Sequence, residues 1–268
     1  GSTSFVRTRG DTRTEGDDGW STNAAMPSFY EASRLSVIDF FLTPIVSTEE
    51  HVEEIPHLAS EHGISSFKIH LQMQGPWKPA WPHYAFDDGT IYSAFEAVAK
   101  LGPPALALLH CENWEIARVL ENRLKAAGRT DKGAWDDRSP WITEAGHART
   151  YLYYARVLGC PVYVVHATTK ETLAEIDKAK AEGAVVYSEI GAHYLVLHKD
   201  AWKINVPLRD RRTHELLWSA LASGAIDCIG SDHVAHTRTR EAMDAVAVSP
   251  GWLSLLPPIA AIIMALVS

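Results

Sequence analysis

Short apolar runs alternate with amphipathic stretches along most of this chain. Runs 3–6, 36–42, 65–71, 105–110, 162–166, 184–189 and 227–232 predict strands. Helical spacing fills 48–62, 90–101, 114–127, 143–158, 170–182 and 211–222. Thr48 before Glu49-Glu50 supplies an N-cap and first-turn acids, and Thr169 does the same before Lys170. Gly183 and Gly224 end helices ahead of strands. Residues 105–109 and 162–165 are continuously apolar, as in strands buried on both faces. Such alternation implies right-handed parallel crossovers. Segments 9–27 and 72–89, rich in Gly, Asp, Trp and Pro, read as loops. No glycine-rich phosphate loop is present, so an open nucleotide-binding sheet is unsupported. The prediction is a TIM-like (β/α)8 barrel one strand short, with seven strands visible, in a single domain over residues 1–268.

Composition narrows the class. With 268 residues, 46% of them hydrophobic, the chain can bury one core of barrel size. A net charge of −8 without a basic stripe excludes a nucleic-acid binder. Three cysteines, Cys111, Cys160 and Cys228, lack CxxC spacing and read as small buried thiols of a cytoplasmic protein. No signal-peptide pattern is visible, and the apolar stretch 259–267 is too short to span a bilayer, so no membrane association is expected. That stretch reads as a barrel helix cut off at Ser268, making the chain a truncated domain.

The chemistry sits where predicted strands end. Ser231-Asp232-His233 closes the last strand, and three earlier runs contain or end in Lys68, His110 and His166. In a parallel α/β barrel the C-terminal strand ends share one mouth, where active sites lie. Imidazole and carboxylate there suit Zn²⁺ or a similar divalent ion. Lys68 is unusual inside an apolar strand. Either its amine is neutral and open to carbamylation by CO₂, giving an anionic two-oxygen ligand, or the side chain snorkels to solvent.

Gly63-Ile64-Ser65-Ser66-Phe67-Lys68 resembles the carbamylated-lysine strand of the hydantoinase and dihydropyrimidinase branch of the amidohydrolase superfamily. His110-Cys111-Glu112-Asn113 is similar to its "HxEN" segment, and Val164-Val165-His166-Ala167-Thr168 to its next histidine strand. Glu189 to Leu195, Val206-Pro207-Leu208-Arg209 (its "PPLR") and Ile229-Gly230-Ser231-Asp232-His233 follow in order, so the resemblance covers about 32–257. It implies Lys68 as a bridging carbamate, His110 and His166 as ligands of a second Zn²⁺, and Asp232 as ligand of the first and general base. A metal-activated hydroxide would then open a cyclic amide. The resemblance gives Asn205 to substrate binding, His193 to a supporting place, and His233 to orienting Asp232 or to structure. It also implies a homo-oligomer, dimer or tetramer.

Departures from the pattern are specific. The family's first strand carries His-x-His for the first metal, and none of the 13 histidines here is two positions from another. The first ion would keep Lys68 and Asp232 alone, a weak or empty site, and activity would be impaired. Met73 stands where the family has an oxyanion-binding tyrosine, with Trp77 and Tyr84 nearby as substitutes, and the later substrate loop reads Ser249-Pro250-Gly251. The expected function is hydrolysis of hydantoin- or dihydropyrimidine-like rings. Alternatives are a dihydroorotase- or allantoinase-like hydrolase, or a non-catalytic dihydropyrimidinase-related scaffold.

Overall fold

The computed structural model describes residues 2–6, 22–36, 40–71, 87–201 and 204–232. In chain order, these form β1 (Ser2–Val6), α1 (Thr22–Ser33), β2 (Phe40–Pro44), α2 (Glu49–His62), β3 (Ser66–His70) and α3 (Asp88–Leu101). There follow β4 (Leu106–His110), α4 (Trp114–Ala126), α5 (Ala134–Asp137), α6 (Trp141–Leu158), β5 (Val162–Val164) and α7 (Lys170–Ala181). Last come β6 (Val186–Gly191), a 3-10 turn (Ala192–Leu195), α8 (Thr213–Ser223) and β7 (Cys228–Gly230). Each predicted strand has a counterpart among them.

The chain divides into two compact units. The first comprises Gly1–His110, Tyr151–Tyr163 and Ala179–Val186; the second comprises Cys111–Thr150, Val164–Lys178 and Tyr187–Ser268. In the first, β1 and β2 are parallel, with Ser2 opposite Phe40 and Val6 opposite Pro44. Just past β2, Ile45 bridges to Lys68, and the Val46 N–H donates to the Lys68 carbonyl at 2.8 Å. Strands β3 and β4 are parallel from Ser66–Leu106 to His70–His110. The Ala107 N–H continues the ladder to Pro161 at 2.9 Å, and Val162 N–H reaches Val185 at 3.0 Å. Phe67, Ile69, Ala107 and Leu109 are buried with Ile55 and Leu58 of α2 and Ile91, Phe95 and Val98 of α3. In the second unit, Ala167 N–H donates to Glu189 at 2.8 Å, and β6 pairs in parallel with β7, Glu189 opposite Cys228. The Asp227 carboxylate accepts from the N–H and hydroxyl of Ser188 at 2.8 and 3.0 Å, fixing that pairing.

Helix ends follow the sequence signals. Thr48 accepts the His51 N–H at 3.1 Å, and Gly63 closes α2 at φ 65°, a left-handed position that glycine occupies without a Cβ clash. Asp87 caps α3 through Thr90, and Asn113 caps α4 through Ile116, each at 3.0 Å.

Residues 22–27 contradict the expected 9–27 loop, because they form the first half of α1. That helix lacks first-turn acids and contains Pro27. Its leading N–H groups are capped from another element: Glu54 of α2 accepts from Thr22 at 2.7 Å and Asn23 at 3.4 Å. Nε2 of His57 and of His62 bond to the side-chain Oδ1 of Asn23 at 3.1 and 3.0 Å. A cap 32 residues away leaves no local sequence signature. Strand β2 lies later than the predicted 36–42, α3 starts at Asp88 inside the expected 72–89 loop, and α5 is an addition. Met73, Trp77, Tyr84, His233, Ser249-Pro250-Gly251 and 259–267 lie outside the described residues.

Candidate active site

Lys68 occupies the centre of β3 and is only 3% exposed, which excludes the snorkelling alternative. Side chains alternate along a strand, so Lys68 and His70 share one face while Phe67 and Ile69 take the other. The register sets Lys68 opposite Leu108 and His70 opposite His110, which places Lys68, His70 and His110 on a common face. The rings of His70 and His110 lie 5.0 Å apart between centroids, with planes at 31°. His110 is buried. His70 is absent from the ligand set expected from sequence; its available signal is the Lys-x-His spacing within one strand.

The second unit holds His166, two residues beyond β5, and Asp232, two beyond β7. Both have positive φ, 40° and 46°, and they are the non-glycine residues that do so among the described residues. Left-handed backbone at such residues costs on the order of 1–3 kcal/mol each and persists only where the surroundings impose it.

The constraint beyond His166 is a buried ionic clamp. Glu144 of α6 accepts the backbone N–H groups of Thr168 and Thr169 at 2.7 and 3.3 Å, and also the Thr168 hydroxyl. Arg209 donates to Glu144 at 3.0 Å, to Thr168 Oγ1 at 2.9 Å, to Asp136 at 2.9 Å and to the Ser139 carbonyl at 2.6 Å. Burial alone would lower the Arg209 pKa, but the charges of Glu144 and Asp136 outweigh it and hold the guanidinium above its ordinary value. A cavity of about 380 Å³ opens beside the clamp, lined by Trp141, Thr168, Arg209 and Thr213 among others. None of the four predicted metal ligands lines it.

Asn205 belongs to the loop that Arg209 anchors. Its flanks are tied down: Trp135 Nε1 donates to the Ile204 carbonyl at 2.6 Å, and the Tyr194 hydroxyl to the Val206 carbonyl at 2.8 Å. Burial, then the negative charge of Asp232, pushes the Tyr194 phenol well above its usual range. Glu112 of the "HxEN" run is buried, and desolvation raises its carboxyl pKa against the opposing pull of Arg138 and Arg209. Arg138 itself lies between the rings of Trp135 and Trp114, 3.5 and 4.5 Å from their centroids.

His193 is fully buried, and neither ring nitrogen has a hydrogen-bond partner among the described residues. Desolvation lowers its pKa to about 4. Its ring lies so close to Gly191 that an added Cβ there would meet Cε1 at 2.5 Å, so glycine is required. A Cβ at Gly230 would meet the Glu189 carboxylate, the far end of a side chain that can move aside.

The predicted ligands therefore fall two and two: Lys68 and His110 in one unit, His166 and Asp232 in the other. Among the described residues, no three His, Cys, Asp or Glu side chains gather closely enough to hold an ion by themselves.

No protein-family model matches this chain. It is 30% identical to a D-hydantoinase of Ralstonia pickettii over 202 residues, covering 72% of this chain and 41% of that protein. An allantoinase of Escherichia coli is 31% identical over 184 residues, covering 66% of this chain and 40% of its own length. The crystal structure of dihydropyrimidinase from Brevibacillus agri superposes with a TM-score of 0.77 at 25% identity, over 92% of this chain and 52% of that one. This likeness assigns the parallel strand–helix series to the α/β barrel type. The chain spans about two fifths of the length of the curated relatives it matches.

Two outcomes follow from the clamp and from His193. Arg209→Met leaves the buried Glu144 carboxylate without its guanidinium and should cost about 3–5 kcal/mol of unfolding free energy in urea titration. A loss below about 1 kcal/mol would show that the clamp does not hold the fold. For His193, the folded pKa of about 4 lies below the unfolded value of roughly 6.5. The unfolded chain then binds more protons between those values. Its contribution is complete above pH 6.5 and declines as pH falls towards 4, by roughly 3 kcal/mol in all. Urea titrations at pH 7 and 4.5 should show a smaller acid loss in His193→Asn than in the unsubstituted chain. Equal losses in the two proteins would refute that assignment.

Proposed function

This chain belongs to the hydantoinase-like branch of the amidohydrolase superfamily, and on that premise we propose that it is a metal-dependent hydrolase of cyclic amides. The observation that carries the reading is Lys68, a lysine buried within a parallel strand on the face it shares with His110. When uncharged, its amine nitrogen would add to CO₂, forming an N–C bond and releasing a proton, to leave a carbamate whose single negative charge is shared by two oxygens. The donor set of carbamate, imidazole and carboxylate fits Zn²⁺, which we assign as one or two ions. When bound, it would polarise the amide carbonyl and acidify water.

The chain's own residues do the rest. Lys68, His110 and His166 would hold one ion, and Lys68 with Asp232 the other. Asp232 takes the proton from the attacking water and returns it to the leaving nitrogen. Its placement directly after β7, at positive φ, supports such a fixed role. Asn205, in the loop tied down by Trp135, Tyr194 and Arg209, meets the substrate amide. The substrate class is a hydantoin or dihydropyrimidine ring. Allantoin is the second reading, supported by the 31% identity to an allantoinase. We place the protein in the cytoplasm as a homo-oligomer; no helix among the described residues is long and apolar enough to cross a membrane.

Hydantoin, dihydrouracil and allantoin supplied to the purified chain with Zn²⁺, Mn²⁺ or Co²⁺ test the reading. Ring opening should disappear with a chelator and return with metal. Asp232→Asn should lower kcat/KM by about 10²–10⁴, the usual worth of a general base. No ring opening with any of the three under any metal, or full activity in Asp232→Asn, would refute it.

A further inference from the structure

We infer that His70 is a metal ligand of this chain, adding a donor to Lys68 and His110 on the face they share within the first unit. The inference rests on the functional reading above and adds a ligand to it. Three observations converge. Strand alternation and the β3–β4 register put Lys68, His70 and His110 on one face of two paired strands. The two imidazole centroids are 5.0 Å apart. Two imidazoles sharing one tetrahedral cation, each nitrogen ~2.0–2.1 Å from it, have centroids about 5 Å apart. Finally, both imidazoles close their strands, His70 ending β3 and His110 ending β4.

Lys68 and His110 are nearly fully buried while His70 is partly exposed, so the site is closed behind and open at the end of the strands.

The test strips the full chain with a chelator and titrates it with Co²⁺ and Zn²⁺ against a chromophoric competitor, reading affinity and the visible Co²⁺ spectrum. His70→Ala, His70→Phe, His110→Ala and Lys68→Ala are compared with His57→Ala, a surface substitution on α2. His70→Ala should weaken binding more than 100-fold, beyond the roughly 10–100-fold cost of losing an outer hydrogen-bonding partner, and should alter the Co²⁺ spectrum. His70→Phe, which keeps the ring packing but has no nitrogen donor, should be equally impaired. His57→Ala should bind normally. A smaller loss in His70→Ala, or normal binding and spectrum in His70→Phe while His110→Ala loses the ion, would reduce His70 to a packing partner and overturn the inference. Normal binding in both His110→Ala and Lys68→Ala would overturn the metal assignment itself, and this inference with it. Far-UV circular dichroism of each variant separates lost ligation from lost folding, and His70→Phe carries the test if His70→Ala unfolds.

Discussion

The second unit depends on one buried carboxylate. Glu144 accepts the backbone N–H groups of Thr168 and Thr169, in the turn ahead of α7, and is itself neutralised by Arg209. Buried backbone N–H groups in a turn need such an acceptor, and a buried acid needs such a cation. Each solves the other's problem. Arg209 also reaches Asp136 and the Ser139 carbonyl, so a single guanidinium ties α5, the start of α6, the His166 turn and the Asn205 loop together. This explains how a histidine can be held at φ 40° two residues before Thr168. Removing the cation would leave the carboxylate buried and the turn free to relax.

The first unit uses a different device. Its face is set by strand alternation: every second residue of β3, Lys68 and then His70, appears on the side that β4 completes with His110. Apolar Phe67 and Ile69 lock the opposite side into the core. A one-residue slip would exchange the two sets, so the packing of Phe67 and Ile69 fixes the direction of the lysine. Placement of chemistry here is a consequence of register.

Much of this was legible from the chain alone. The strand–helix order follows from the apolar runs, the capping by Thr48 from its place before Glu49-Glu50, and the placing of Lys68, His110, His166 and Asp232 in or just beyond strands from polar residues within or after those runs. What escaped was non-local. Helix α1 depends on Glu54 from another helix, which no window around Thr22 contains. The clamp joins Glu144, Thr168 and Arg209 across 65 residues, although Arg209 is visible in the "PPLR"-like run. His70 escaped for another reason: a histidine two residues from Lys68 gains meaning only when His110 is known to lie directly opposite. Positive φ at His166 and Asp232 falls on residue types that adopt it more readily than most, but no local pattern at either position demands it.

The central claim is that Lys68, buried on the face it shares with His110, is the anionic anchor of a metal centre. Equilibrating the metal-loaded chain with ¹³C-labelled bicarbonate and recording its ¹³C spectrum tests this directly. One protein-bound carbamate carbonyl per chain is expected, absent in Lys68→Arg. A metal-loaded chain showing no such signal, or one that persists in Lys68→Arg, would contradict the account.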